Sequence, residues 1–218
     1  MFHFLTSQPS ETPLPEIGLD SIDLLQSPLL NDEAIYIKQA VAKRKREFIA
    51  GRTLARLLLE KLSVSSSIGK NEDRSPCWPK GIVGSISHND FECGVALGSS
   101  RLFLSIGLDI ETIGQVKPEL WPLLFVDAEL ACLTQERNPE RRALLATLYF
   151  SAKEAFYKYQ YPLTKQWVEF HAAQVTQLSE TTFQISHQVE HSLLAPRLTG
   201  YLDRPTPSTL ACLLFSAV

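Results

Sequence analysis

The sequence predicts an α+β protein whose two similar-sized halves meet near Leu108. Helical patterns of apolar residues run over 32–62 and over 140–160, and the second segment contains neither Gly nor Pro. Between and after them lie short segments in which apolar and polar residues alternate, which is typical of antiparallel strands. Helices and strands mixed in this way favour the α+β class.

Composition limits the function classes. The chain has 218 residues, of which 44% are hydrophobic and 21% charged, so it can bury a core as one domain or two small ones. No segment approaches the ~20 apolar residues of a membrane span, and the amino terminus lacks a signal-peptide pattern. Four cysteines without C-x-x-C spacing predict reduced thiols. We therefore expect a soluble cytoplasmic protein without membrane contact.

Turn-forming residues and the pattern of apolar residues predict the remaining loops, helices and strands. Residues 1–31, rich in Pro, Ser and acids, predict a loose lead-in, and residues 63–79 predict a loop. A turn at Gly98-Ser99-Ser100 should pair the strands on either side of it, and residues 121–125 form an apolar patch in a predicted loop. Besides the two long helices, the pattern predicts a helix over 126–133 and strands over 81–88, 91–97, 102–109, 168–173, 182–185, 198–201 and 209–215.

Two acids end the central strand. Side chains alternate along a strand, so Asp109 and Glu111 share one face while Leu108 and Ile110 face a core. Their α-carbons would lie about 6.5 to 7 Å apart, and two carboxylates that close favour a bound cation. An exposed strand end with two solvated acids is the alternative.

The helix over 140–160 carries a second charged group. Glu154 and Lys158 are four residues apart and lie one above the other, beside an apolar stripe. Such a pair is commonly a surface ion pair. Near a metal and a phosphate, the carboxylate could instead complete an acidic site and the ammonium could neutralise a phosphate oxygen.

Positive charge is concentrated in the first helix, although the whole chain carries a net charge of −3. Residues 43–46 are all basic, and Arg44 and Arg52, eight positions apart, share a helix face. This pattern predicts contact with an anion, or else a solvated face or a nucleic-acid patch. Lys70 and Arg74 add basic residues in the following loop, before the strand Gly84-Ser85-Ile86-Ser87-His88.

Three segments, in this order, resemble the motifs of the phosphopantetheinyl transferases, in the class of the monomeric enzymes similar to enterobactin synthetase component D. The family motifs are G-S-I-x-H, found here at 84–88, I/V-G-I/V-D-x-E at 106–111, and F/W-x-x-K-E-x-x-x-K at 150–158. Leu108 is a conservative departure in the second motif. The resemblance extends from Ala42 to about Trp167.

The resemblance implies two related α/β subdomains about a pseudo-twofold axis, the 4'-phosphopantetheinyl transferase fold, with the ligand in the cleft between them. Residues 1–108 would bind the coenzyme A phosphates, and residues 109–218 would carry the metal site. The reaction would move 4'-phosphopantetheine from coenzyme A to a serine of an apo carrier protein, releasing 3',5'-adenosine bisphosphate. The enzyme would act as a monomer.

The resemblance also assigns residues. Mg²⁺ would be held by Asp109, Glu111 and Glu154. Glu154 would take the serine proton, with Glu111 or a metal-bound water as the alternative base, and Lys158 with Lys153 would stabilise the leaving phosphate. Coenzyme A would be bound by Arg44, Arg52, Lys70 or Arg74, Ser87, His88, Asp109, Lys153, Glu154, Lys158 and Trp167. Arg44, Arg52 and His88 would lie at the 3'-phosphate, and Arg74 fits the place of the loop cation better than Lys70. Trp167, like Phe150, would line the pantetheine channel or else pack in the core.

Two other classes remain open at this point. A magnesium-dependent nuclease could use the same acids and lysine, but it leaves the G-S-I-S-H segment unexplained and fits poorly with a net negative charge. A non-catalytic module that binds nucleotides or carrier proteins is the other. The transferase accounts for all three motifs and predicts no nucleic-acid partner.

Overall fold

The computed structural model describes residues 13–218. The chain divides into two compact units, the first ending at Ile106 but including Ser216–Val218, the second comprising Gly107–Phe215. Helices and antiparallel strands are mixed in the chain, which confirms the α+β class. In chain order the elements are β1 (Glu16–Ser21), α1 (Asn31–Ala34), a 3₁₀ turn (Ile35–Ile37), α2 (Ala42–Lys61), β2 (Gly69–Lys70), β3 (Pro76–Cys77), β4 (Ile82–His88), β5 (Glu92–Ser99), β6 (Phe103–Thr112), a 3₁₀ turn (Pro118–Leu120), α3 (Trp121–Leu124), α4 (Asp127–Gln135), α5 (Pro139–Thr164), a 3₁₀ turn (Phe170–Ala172), β7 (Ala173–Gln177), β8 (Thr182–His187), β9 (Arg197–Thr206) and β10 (Thr209–Ala217).

The first unit packs helix α2 on a three-stranded antiparallel sheet of order β1-β5-β4. Helix and sheet approach closely at Gly51, where an added Cβ would lie 3.0 Å from Ile86 Cγ2. Apolar side chains from both layers are fully buried between them, among them Leu54, Leu59 and Val95. The position of α2 over this sheet determines which of its basic residues face outward.

Several predictions for the first unit were wrong. The predicted lead-in contains β1, which pairs with β5 through register partners such as Leu19 and Gly94; residues 1–12 lie outside the described part of the chain. The predicted helix over 32–62 is interrupted between Ile37 and Ala42, and the predicted loop contains the small hairpin β2–β3. Strand β5 pairs with β1 and β4, while β6 belongs to another sheet. For β1 and for the pairing of β5, a strand partner distant in sequence decides the structure.

In the second unit, helix α5 packs against a five-stranded sheet of order β6-β10-β9-β8-β7. The side chain of Asn138 caps the helix by accepting hydrogen bonds from the backbone N–H groups of Glu140 and Arg141. The apolar stripe predicted for this helix is buried, with Ala152, Phe156 and Tyr159 in the core. The predicted long helix is therefore confirmed, and it is the element that carries Glu154 and Lys158.

Gly107 brings strand β6 into backbone contact with this helix. An added Cβ at this position would lie 2.0 Å from the carbonyl oxygen of Ala155 and 2.7 Å from the backbone nitrogen of Tyr159. No side chain fits there, so the strand can lie against the helix only with glycine at this point. Two residues further along the strand is Asp109, which places the acidic strand end beside the polar stripe of α5.

Other predictions for the second unit have mixed outcomes. The helix over 126–133 is confirmed as α4, whereas the strand predicted over 168–173 begins only at Ala173 and follows a 3₁₀ turn. The apolar patch at 121–125, predicted as loop, contains α3. All four cysteines are free thiols, as predicted. From residue 13 onward, no helix combines the length and hydropathy that a membrane crossing requires.

Candidate active site

The acids of strand β6 occupy the positions that the alternation predicts. Leu108 and Ile110 are fully buried in the core, and Asp109 is almost completely buried as well. The Nζ of Lys158 donates a hydrogen bond to Asp109 Oδ1 at 2.7 Å, which joins the strand to helix α5. The two motifs separated in sequence thus meet in one side-chain cluster, and the alternative of a solvated strand end is wrong.

Electrostatics place the other two carboxylates in the same cluster. Burial first, and then the charge of Asp109, raise the pKa of Glu111 to about 8, with Lys158 opposing and Glu154 reinforcing the shift. Burial and the charge of Asp109 also raise the pKa of Glu154 above its usual range. The carboxylates of Asp109, Glu111 and Glu154 therefore interact with one another and with the ammonium of Lys158. This arrangement disfavours ionisation of all three carboxylates at once.

This cluster suits a divalent cation by its chemistry. Carboxylate oxygens are the ligands that Mg²⁺ prefers, and a cation would offset the burial and the carboxylate repulsion that together raise the pKa of Glu111. Over residues 13–218, no group of three or more His, Cys, Asp or Glu side chains is arranged as a preformed metal site. The residues fit the ion in donor type and charge.

An apolar cavity lies beside Glu154. Its volume is about 150 Å³, and aromatic residues, including Tyr157, Trp167 and Phe170, form much of its wall. Trp167 is 75% exposed, and its indole Nε1 donates to Glu169 Oε1 at 2.8 Å while its ring meets Tyr157 edge-on, with centroids 5.4 Å apart. Phe150 does not line this cavity but stacks on Phe170, which does. The cavity can hold a slender chain whose end reaches Glu154.

The adjacent residue Lys153 points into the protein. Its buried ammonium donates to Glu129 Oε2 at 2.7 Å and to the carbonyl oxygen of Leu124 at 2.9 Å. Burial lowers the pKa of Lys153, and the carboxylate of Glu129 partly offsets the decrease. Glu129 also accepts hydrogen bonds from the backbone N–H groups of Val126 and Val175. The pair therefore ties α5, on which Glu154 lies, to α4 and β7.

Replacing Glu129 by glutamine is expected to lower the free energy of unfolding by about 2 kcal/mol. The substitution removes the negative charge that compensates the buried ammonium of Lys153, and hydrogen bonds to charged groups contribute roughly 1.5 to 3 kcal/mol each. Urea unfolding followed by circular dichroism measures the change. Glu119→Gln, at an exposed position, is the matched control. An unfolding midpoint of Glu129→Gln equal to that of the control would show that the ion pair does not stabilise the fold.

In the first unit, the predicted phosphate-binding residues Arg44 and His88 lie together. Arg44 Nη1 is 3.1 Å from His88 Nε2, and Glu47 Oε2 lies 3.3 Å from the same guanidinium nitrogen and 3.5 Å from the imidazole nitrogen. Ser87 precedes His88 on β4 and is buried. Arg44 remains more than half exposed at its side chain, so an anion can reach it.

The remaining predicted coenzyme A residues of this unit are placed differently. Arg52 is buried and directs its guanidinium at backbone, with Nε 2.9 Å from the carbonyl oxygen of Ile68 and Nη2 3.0 Å from that of Gly69. Burial lowers the pKa of Arg52 to about 10. Lys70 lies on β2 with its ammonium 5.6 Å from the centroid of the Tyr36 ring, and Arg74 occupies the hairpin turn with a positive φ of 69°. Arg44 and Arg52, predicted to share a ligand, therefore have different surroundings.

Sequence comparison shows the family to which the chain belongs. Residues 32–98 match the 4'-phosphopantetheinyl transferase N-terminal domain, and residues 105–209 match the 4'-phosphopantetheinyl transferase superfamily. The chain belongs to the 4'-phosphopantetheinyl transferase family and is an enzyme that transfers phosphopantetheine to carrier proteins with coenzyme A as substrate. The nuclease and the non-catalytic binding module are not favoured.

Three curated relatives show the extent of the similarity. The chain is 34% identical over 204 residues to the 4'-phosphopantetheinyl transferase Npt of Nocardia iowensis, covering 90% of this chain and 89% of the relative. It is 36% identical over 180 residues to PptT of Mycobacterium tuberculosis, covering 80% and 69%. It is 33% identical over 182 residues to enterobactin synthase component D of Salmonella typhimurium, covering 79% and 75%.

Sequence reasoning missed three carboxylates that support these groups. Glu47, Glu129 and Glu33 are each partly or fully buried and bind a basic side chain. Glu129 and Glu33 also accept a hydrogen bond from a backbone N–H three residues before them. A glutamate in the first turn of a helix is a known capping signal, so both could have been recognised as helix caps. Their buried partners could not have been identified from sequence.

Proposed function

We propose that the cluster of Asp109, Glu111, Glu154 and Lys158 performs the transfer, moving 4'-phosphopantetheine from coenzyme A to the serine hydroxyl of an apo carrier protein. The observation that supports this most directly is the 2.7 Å ion pair between Lys158 and Asp109, which joins the two motifs in one site. The hydroxyl oxygen attacks the phosphorus of the pantetheine phosphate, and 3',5'-adenosine bisphosphate leaves.

Within this cluster, Asp109, Glu111 and Glu154 would hold Mg²⁺, which when bound supplies positive charge to the pyrophosphate oxygens. Lys158 places its ammonium where negative charge develops on the leaving phosphate. Glu154 accepts the serine proton, and its raised pKa, caused by burial, favours that role. Glu111 is the alternative base, since its pKa is also raised.

The coenzyme A residues follow from the surroundings of each side chain. Arg44 and His88 bind the 3'-phosphate, with Ser87 beside them, because the guanidinium and imidazole converge and stay accessible. The apolar cavity beside Glu154 takes the pantetheine arm against Trp167. Lys153 acts by holding α5 through Glu129 rather than by touching the leaving phosphate. Residues 1–108 thus supply the phosphate-binding side chains and residues 109–218 the acidic cluster.

The partner is an apo acyl, peptidyl or aryl carrier protein. Since one similar protein is named as a component of enterobactin synthase, carriers of siderophore assembly are the first to test, with polyketide and nonribosomal peptide carriers beside them. We further propose that the enzyme works as a monomer in the cytoplasm. The resemblance of its motifs to the monomeric class supports this.

Intact mass spectrometry tests the proposal. Purified protein is incubated with coenzyme A, Mg²⁺ and each apo carrier, beside an Asp109→Ala variant that removes the partner of Lys158. We expect the carrier to gain the mass of one phosphopantetheine group with the wild-type chain and none with the variant or after chelation of the metal. Equal modification by the variant would remove the acidic cluster from the reaction, and no modification of any carrier would contradict the transfer itself.

A further inference from the structure

Glu33 is a fully buried carboxylate for which the proposed reaction has no use. Its side chain is 0% exposed. Oε2 accepts hydrogen bonds from the backbone N–H of Leu30, at 3.1 Å, and from Arg56 Nη1. Oε1 accepts from the backbone N–H of Ile68 at 3.0 Å. Burying a carboxylate costs desolvation free energy unless its oxygens accept hydrogen bonds in this way. The complete burial of Glu33 therefore indicates a role for this side chain.

The contact to Ile68 connects Glu33 to the strand that carries Lys70. Arg52 binds the same peptide segment from its carbonyl side, through the oxygens of Ile68 and Gly69. Two side chains therefore hold one N–H and two carbonyl groups of adjacent residues. Together, Glu33 and Arg52 form what we call the buried clamp.

The strand needs such support because its own pairing is weak. Strand β2 has two residues and pairs only with β3, where Gly69 faces Cys77 and Lys70 faces Pro76. Beyond this pair the hairpin is closed by one further backbone hydrogen bond, from the Asn71 N–H to the Ser75 carbonyl oxygen at 2.9 Å. Isolated two-stranded hairpins are marginally stable at best in water. The backbone just before Lys70 is thus held by the buried clamp as well as by the ladder.

Glu33 also holds the surface on which the Lys70 side chain rests. Its contact to Leu30 fixes the start of α1, and the 3₁₀ turn that continues α1 carries Tyr36. The Lys70 ammonium lies 5.6 Å from the centroid of the Tyr36 ring, within the range of a cation–π contact. The same carboxylate therefore positions both the backbone and the aromatic support of this lysine.

We propose that Glu33 is a positioning residue for coenzyme A binding, and that with Arg52 it holds Lys70 where its ammonium meets a phosphate of the nucleotide. This inference rests on the proposed function. Arg52 contributes through the backbone of residues 68–69, which explains why a residue predicted to contact phosphate is buried.

A double-substitution cycle tests the inference. Glu33→Gln is expected to raise the KM for coenzyme A about tenfold with kcat unchanged, and Lys70→Ala to do the same. If Glu33 acts through Lys70, the double variant should have the same KM as Lys70→Ala. Once the Lys70 side chain is removed, Glu33 has no ligand contact left to position. Glu72→Gln, an exposed glutamate in the same hairpin, is the matched control and should keep the wild-type KM. Isothermal titration with coenzyme A alone measures the same effects without a carrier.

The possible results distinguish failure of this inference from failure of the proposed function. The inference would be overturned if the KM increases of the two single variants multiply in the double variant, or if Lys70→Ala leaves the KM unchanged. Neither result would contradict transfer by the wild-type protein. Absence of transfer by the wild type would instead count against the proposed function, and the titration would still test the clamp. Should Glu33→Gln fail to fold, Glu33→Asp takes its place, since it keeps the charge beside Arg56 in a shorter side chain.

Discussion

Replacing Gly107 by alanine is expected to lower the free energy of unfolding by about 4 kcal/mol or more, which is exceptionally large for a single substitution. The new methyl group would lie 2.0 Å from the Ala155 carbonyl oxygen and 2.7 Å from the Tyr159 nitrogen. Both are backbone atoms in the middle of α5, so neither can rotate away as a side chain would. Strand and helix must separate, which disrupts the buried core between them. Urea unfolding monitored by circular dichroism measures the loss.

Gly81→Ala is the matched control for this prediction. Gly81 has a positive φ of 86° but no atom within 4 Å of an added Cβ, so only backbone strain should appear, about 1 kcal/mol. The comparison separates the steric contact from the general cost of replacing glycine. A Gly107→Ala protein no less stable than Gly81→Ala would show that β6 and α5 can move apart without cost.

Replacing Glu154 by glutamine is expected to reduce transfer by roughly 10²- to 10⁴-fold, the range for loss of a general base. Glutamine keeps the size of the side chain and its place beside the cavity but cannot accept the serine proton. Coenzyme A binding should be largely retained, because the basic residues proposed to bind the phosphates are unchanged. Single-turnover transfer to a carrier protein gives the rate, and titration with coenzyme A gives the affinity.

Glu140→Gln provides the control on the same helix, since Glu140 is exposed in the first turn of α5. It should transfer at nearly the wild-type rate. Normal turnover by Glu154→Gln would assign the base to another group, and Glu111→Gln would then be the next variant to measure. If Glu154→Gln loses coenzyme A affinity as well as rate, the residue binds substrate and its role as base is not separable by this substitution.

The sequence predicted the helices and strands whose residues repeat regularly. Helix α5 was found because its apolar stripe is long and unbroken, and the strand of Asp109 because alternation there is strict. Strand β1 was missed because its six residues lie in a segment rich in proline and acid, and its partner β5 is distant in sequence. Local pattern carries no information about such a partner.

The sequence predicted the candidate site about as completely as it predicted the fold. Motif order was enough to nominate Asp109 and Lys158, and the structure adds that they touch. Helical spacing placed Arg44 and Arg52 on one face, but burial depends on what packs over that face, and the segment around Ile68 covers Arg52. Lys153 and Glu154 are neighbours in sequence and both line the apolar cavity, but the Lys153 ammonium is bound by Glu129 whereas the Glu154 carboxylate interacts with Asp109 and Lys158. Which cation faces a ligand and which faces a carbonyl is a tertiary property.

The hydrogen bond from the Val175 N–H to Glu129 has a consequence for association between copies of the chain. Strand β7 is the last strand of its sheet, and a strand in that position offers unpaired N–H and C=O groups to any other strand that approaches. The carboxylate of Glu129 occupies one of these N–H groups, and α4 packs along β7. One buried side chain thereby removes one of the backbone groups with which a second copy of the chain could pair along this edge.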